Sequence, residues 1–174
     1  QVEDRSIMLL VDSNYSYRSD ELQSWYANPQ SPFGTKGNRN RFNTTSQTFS
    51  RRALTTRKEG GVLSTAAVLT MTSTPLRTSP IKRGAWAATV IFNDPPPPPP
   101  DLVPEIEEDD AAIAASGLTI RDRLKQHASD QTCASCHAKI DPMGFALENY
   151  DAVGRWRDDY AGGLPVDASG KLFG

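Results

Sequence analysis

Apolar positions recur at helical spacing in several short stretches of this chain and are sparse between them. In "VEDRSIMLLVD", Val2, Ile7, Leu10 and Val11 have a helix-like spacing. "SDELQSWYA" follows, with Ser19 or Asp20 placed to cap a second helix. Residues 28–60 are rich in Asn, Thr, Ser, Gly and Arg and predict a long irregular loop with one short strand near Gln47 to Arg52. "GGVLSTAAVLTMTS" (60–73) predicts a short buried helix after a glycine turn. "TSPIKRGAWAATVIFND" (78–94) predicts a better helix. Ser79 can cap it, and Pro80 takes the first helical position, where a missing N–H costs nothing. Ile81, Ala85, Ala88 and Phe92 then line one face.

The run Pro95 to Pro100 stops this pattern. Six prolines enter neither a helix nor a sheet interior, and predict a stiff polyproline II spacer or strap about 19 Å long at about 3.1 Å per residue. "EIEEDD" (105–110) and "AAIAASG" continue the connection. Another helix starts near Thr119, where Thr119 and Asp122 have capping-box spacing. Ile120, Leu124 and His127 share its face. "DPMGFALENYD" predicts a further helix, with Asp141 as its cap and Pro142 at its first position. Residues 151–174 read as loop and short strands.

Composition narrows the class. A chain of 174 residues suits one domain or two small ones. Its 13 Pro and 12 Gly favour loops and turns, so the apolar core should be thin and supplemented by something else. A net charge of −2 does not suit a counterion-releasing nucleic-acid binder. Arg51, Arg52, Arg57 and Lys58 cluster as a solvated loop would. No apolar run approaches the roughly 20 residues that span a bilayer. The sequence begins at Gln1 without an initiating Met or signal peptide and stops after "VDASGKLFG", as expected of a processed chain or a piece of a larger one.

Both cysteines lie in Cys133-Ala-Ser-Cys136-His137. This is the attachment pattern of a c-type haem. Two cysteines three apart on a helical turn can form thioethers to the two vinyl groups along one haem edge. The next residue then presents its imidazole to the iron. Other readings remain open. A dithiol redox pair would want a strand before the cysteines. A zinc site would need about four ligands, and Cys133, Cys136, His137 and His127 are crowded together in sequence. A disulfide between cysteines three apart would be strained and close only a short loop. The expected cofactor is one covalent haem c.

The sixth iron ligand is open between His127, Met143, the sequence-remote Met71 and Met8, and no protein ligand. His127 precedes Cys133 by six residues and could reach the distal face; Met143 follows His137 by six. A second histidine would imply a lower potential than a methionine. Leu124, Ile140, Met143, Phe145, Leu147, Tyr150 and Trp156 flank the motif and could bury the haem faces, or form an ordinary core. Arg155 and Arg157 are candidate propionate partners. The expected fold is mainly α with extensive irregular loop. A small cytochrome c-like helical haem module over 111–174 is joined to a loop-rich helical part over 1–94 by a polyproline and acidic segment over 95–110.

Several longer segments carry a resemblance. "GGVLSTAAVLTMTSTPLRTSPIKRGAW", "PPPPPPDLVPE", "RDRLKQHASDQTCASCHAKIDPMGFALENYDAVGRWRD" and "PVDASGKL" together resemble the C-terminal part of the large secreted planctomycete-type cytochrome c proteins. The opening stretch is similar to the end of the preceding domain in that family. The resemblance implies a haem on Cys133, Cys136 and His137 and export before attachment. It also favours His127 as sixth ligand, because a histidine there is usual in the family while the Met143 position is often another apolar residue. Family chains continue past "DASGKL", so a fragment, a short paralogue or a cleavage product is expected.

Three functions follow as expectations. The first is an electron-transfer module, since no Ser/His/Asp set or phosphate-cradling loop accompanies the motif. The second is a catalytic haem of peroxidase or oxidoreductase type, which needs an open or labile sixth position. The third is an assembly role, as a homo-oligomer, a part of a larger chain or a haem filament, because so much loop would be unstable alone. The expected partners are a redox protein or neighbouring haem subunits, with no nucleic acid and no membrane span. Haem attachment of this kind places the protein in the periplasm or at the cell exterior.

Overall fold

The computed structural model describes residues 5–27, 48–56, 58–75, 77–99, 115–128, 131–160 and 162–171. The chain divides at Val62/Leu63 into two units.

In the first unit, "VEDRSIMLLVD" yields one 3-10 turn, Ile7–Leu10, rather than a helix. Ser6 accepts from the Met8 N–H, and the turn-forming Asp12, Ser13 and Asn14 end the run. Strand β1 (Tyr15–Arg18) comes next, followed by helix α1 (Asp20–Ala27). Ser19, not Asp20, caps α1 by accepting from the Leu22 N–H at 3.2 Å. Strand β2 (Ser50–Ala53) pairs antiparallel with β1, with Tyr15 opposite Ala53 and Arg18 opposite Ser50. Arg18 is buried between an ion pair to Glu59, a hydrogen bond to Gln23 and the Tyr26 ring. Most of the loop expected over 28–60 lies outside the described residues.

The second unit holds α2 (Ala66–Met71), α3 (Pro80–Trp86), α4 (Ile120–His127) and α5 (Gln131–Phe145). Ser79 caps α3 through the Lys82 N–H, with Pro80 in the first turn. The helix continues as a π-helical stretch, Ala87–Ile91, closed by Phe92 N–H donating to the Ala87 carbonyl at 3.2 Å. The buried face differs in part from the expected one. Arg83, Gly84, Ala87 and Ala88 are buried, while Phe92 is exposed. Thr119 and Asp122 form the predicted capping box: each backbone N–H donates to the other's side chain. The Thr119 hydroxyl and N–H hold the Asp122 carboxyl below its usual range.

Asp141 does not start a helix. One helix runs from Gln131 through Pro142 to Phe145, so Asp141 sits in its interior. Pro142 merely leaves one carbonyl of the preceding turn without its helical donor. Pro95–Pro99 adopt neither helix nor strand.

The expectation of a mainly α fold is corrected to a mixed one. Short helices combine with the β1–β2 ribbon and with bridges at Ser73–Thr78, Tyr150–Trp156 and Asp159–Pro165. The physical reason is the period-two alternation of Tyr15, Ser16, Tyr17 and Arg18, which favours a strand between two helical-looking segments.

Two features lock α5 in place. The first is a glycine crossing with α3. A Cβ on Gly84 would lie 2.0 Å from the Ile140 carbonyl oxygen, and one on Gly144 would lie 1.9 Å from that of Pro80. The backbones therefore touch where no side chain fits. The second is a buried charge network. Arg83 donates to the carbonyls of Leu147, Tyr150 and Asp151 and to Ser73, and lies 3.5 Å from Glu148. Glu148 is fully buried and accepts from Thr78, Arg157 and Tyr160. Burial lowers the Arg83 pKa to about 10, opposed by the Glu148 charge, so the guanidinium stays protonated at neutral pH. Burial first, and then Glu148, push the Tyr160 phenol up, keeping it a neutral donor. Ile120, Leu124 and Phe145 form one apolar cluster; Ala87, Ala88 and Met143 form another.

Removing one partner of a buried ionic network leaves the other uncompensated, which costs about 3–5 kcal/mol. Glu148→Ala is expected to lose that much in urea unfolding. Asp94→Ala, which breaks the exposed pair with Lys139, should lose less than about 1 kcal/mol.

Candidate functional site

The CASCH motif occupies the first half of α5. Cys133 and Cys136 are free thiols, both half-buried. They lie one turn apart because three residues on a helix nearly complete a turn. His137 is buried, and its Nδ1 stands 2.8 Å from Asp141 Oδ1, one turn further along the same helix.

His137 and Phe145 border an open groove of about 480 Å³, together with Arg121, Lys125, Asp141 and Lys171. The Arg121 guanidinium lies 3.9 Å from the centre of the Phe145 ring. Arg121 also donates to the carbonyls of Asp167 and Ser169, tying the C-terminal segment to α4. Three cations therefore meet an apolar wall beside the imidazole.

The other sequence candidates are distributed differently. Met143 lies on a different side of α5, buried against Ala87 and Ala88. Trp156 packs edge-on against Tyr150 at 5.3 Å and donates to Asp158. Arg155 pairs with Asp151 at 3.0 Å, and Arg157 donates to Glu148 and Thr78 in the buried network. Neither arginine borders the groove. His127 ends α4, and its side chain lies outside the described residues. Met71 and Met8 are exposed. Sequence reasoning missed Arg121 and Lys125 at the groove. Their spacing of four residues on a capped helix was the available signal.

A model of the PSCyt3 family, described as a protein of unknown function (DUF1588), matches residues 59–160. The chain belongs to this family. The PSCyt3 match contains the glycine crossing, the Arg83–Glu148 network and the whole CASCH motif, and stops short of Ser169 and Lys171 at the groove edge. No curated protein and no solved structure matches the chain.

The donor set fits a covalently held haem c. Two free thiols occupy successive turns of one helix, and an imidazole follows directly, with its Nδ1 on Asp141. Among the described residues, no three His, Cys, Asp or Glu side chains converge as metal ligands; the side chain of His127 lies outside them. Both thiols of the haem-free polypeptide are therefore expected to react with iodoacetamide without denaturant. Mass spectrometry should find two adducts on the peptide containing Cys133 and Cys136, and one or none would contradict the exposure described.

Proposed function

We propose that this chain is a monohaem c-type cytochrome module that transfers single electrons outside the cytoplasm. Its partner is a redox protein or the haem of a neighbouring subunit in a larger assembly. The observation that carries this reading is the CASCH turn of α5, with two free thiols followed by the groove-lining His137. The resemblance to the planctomycete-type cytochrome c proteins supports it.

Cys133 and Cys136 would hold the haem through thioether bonds, each thiol adding its sulfur and its proton across one vinyl group, so that attachment would require no oxidant. His137 would offer Nε2 to the iron. When bound, the haem supplies a one-electron iron couple. Phe145 covers apolar surface at the groove, and Lys125 and Lys171 are placed to pair with carboxylates there.

His127 is the proposed sixth ligand. It belongs to α4, a separate helix that ends four residues before α5 begins. A second protein ligand would be more easily delivered from a separate element than from α5 itself. Met143 shares α5 with His137 and is buried against α3's continuation, which argues against it.

The test is a visible spectrum with pyridine haemochrome after acid-acetone extraction. The expected result is haem retained by the polypeptide, with sharp low-spin bands on reduction. Cys133→Ser with Cys136→Ser should abolish retention. His127→Ala should convert the haem to a high-spin form that binds cyanide. A high-spin, cyanide-binding wild type would favour the catalytic reading instead, and a colourless protein would end both.

A further inference from the structure

We infer that Asp141 is a positioning residue that fixes the tautomer of His137 and lowers the reduction potential of the iron it ligates. The inference rests on the haem reading above. Asp141 Oδ1 lies 2.8 Å from His137 Nδ1, one helical turn away. Both side chains are mostly buried, at 10% and 19% exposure for His137 and Asp141.

An ionised carboxylate has lone pairs and no proton to donate. Nδ1 must therefore carry the hydrogen in this contact, and Nε2 of the neutral ring keeps its lone pair. The helix thus selects the tautomer that would bind a metal through Nε2, before any metal arrives. The spacing makes this local: residues four apart on a helix face each other.

The identity of the acceptor matters as well as its position. A carboxylate acceptor draws the Nδ1 proton more strongly than a neutral carbonyl does, and so raises the basicity of the ligating nitrogen. Mostly buried surroundings strengthen that bond, because little water competes for it. A more electron-rich imidazole stabilises the ferric iron over the ferrous. The predicted consequence is a potential below that of an otherwise equal site with an uncharged acceptor.

The experiment compares the holoprotein with its Asp141→Asn and Asp141→Ala variants. Haem content, midpoint potential and ferric EPR g values are measured on each. Asn can still accept from Nδ1 but carries no charge; Ala removes the acceptor altogether. Both variants should keep covalent haem, since Cys133 and Cys136 are intact. Both should favour the reduced form at least tenfold more than wild type, a shift of about 59 mV upward for a one-electron couple. Both should also widen the spread of g values, as a weaker axial donor does. Equal haem with an unmoved potential would overturn the role of Asp141 and leave the cytochrome reading standing. So would a moved potential with unchanged g values, since a distant charge alone can do that. A wild type without covalent haem would overturn the cytochrome reading and this inference with it.

Discussion

The buried guanidinium of Arg83 is the constraint on which the second unit depends. A full charge taken out of water is costly, and that cost is recovered only when every neighbour is in place. Arg83 reaches this state by donating to three carbonyls beyond the end of α5 and to Ser73, with Glu148 opposite. Glu148 in turn draws in Thr78, Arg157 and Tyr160. The segment before α3, α3 itself and the turns after α5 are thereby tied to a single point.

The glycine crossing complements this electrostatic tie with a steric one. Gly84 and Gly144 allow backbone-to-backbone approach along the line where α3 meets α5. The charge network holds the end of α5, while the crossing sets its distance from α3. The half of the helix that carries Cys133, Cys136 and His137 extends beyond both restraints towards the groove. The site is thus presented from a clamped helix, with its partners Arg121 and Phe145 supplied by α4 and by the far end of α5.

What could be read from sequence was local. Ser79 with Pro80, and Thr119 with Asp122, announce helix starts through contacts three residues long. The CASCH pattern is equally local. Asp141-Pro142 carries the same signal as a helix start yet lies inside α5, because tertiary packing on α3 continues the helix through it. The Tyr15–Arg18 strand has only four residues, and its partner begins at Ser50. The Arg83–Glu148 pair joins charges 65 positions apart (148 − 83), and no periodicity advertises such a contact. Arg155 and Arg157 follow the motif closely in sequence and make candidate propionate partners, yet their partners in the fold are Asp151, Glu148 and Thr78.

That separation also orders assembly. The carbonyls held by Arg83 lie 64 to 68 residues further along the chain, and non-local closures of this kind are the slow part of folding. Helix α5 needs no such closure to begin forming, but a helix of its 15 residues is marginal in isolation. During synthesis the cysteine-bearing turn therefore passes through a flickering, open stage before the guanidinium finds its carbonyls. The late closure of the charge network then fixes the helix at its far end and leaves both thiols half-buried and within reach.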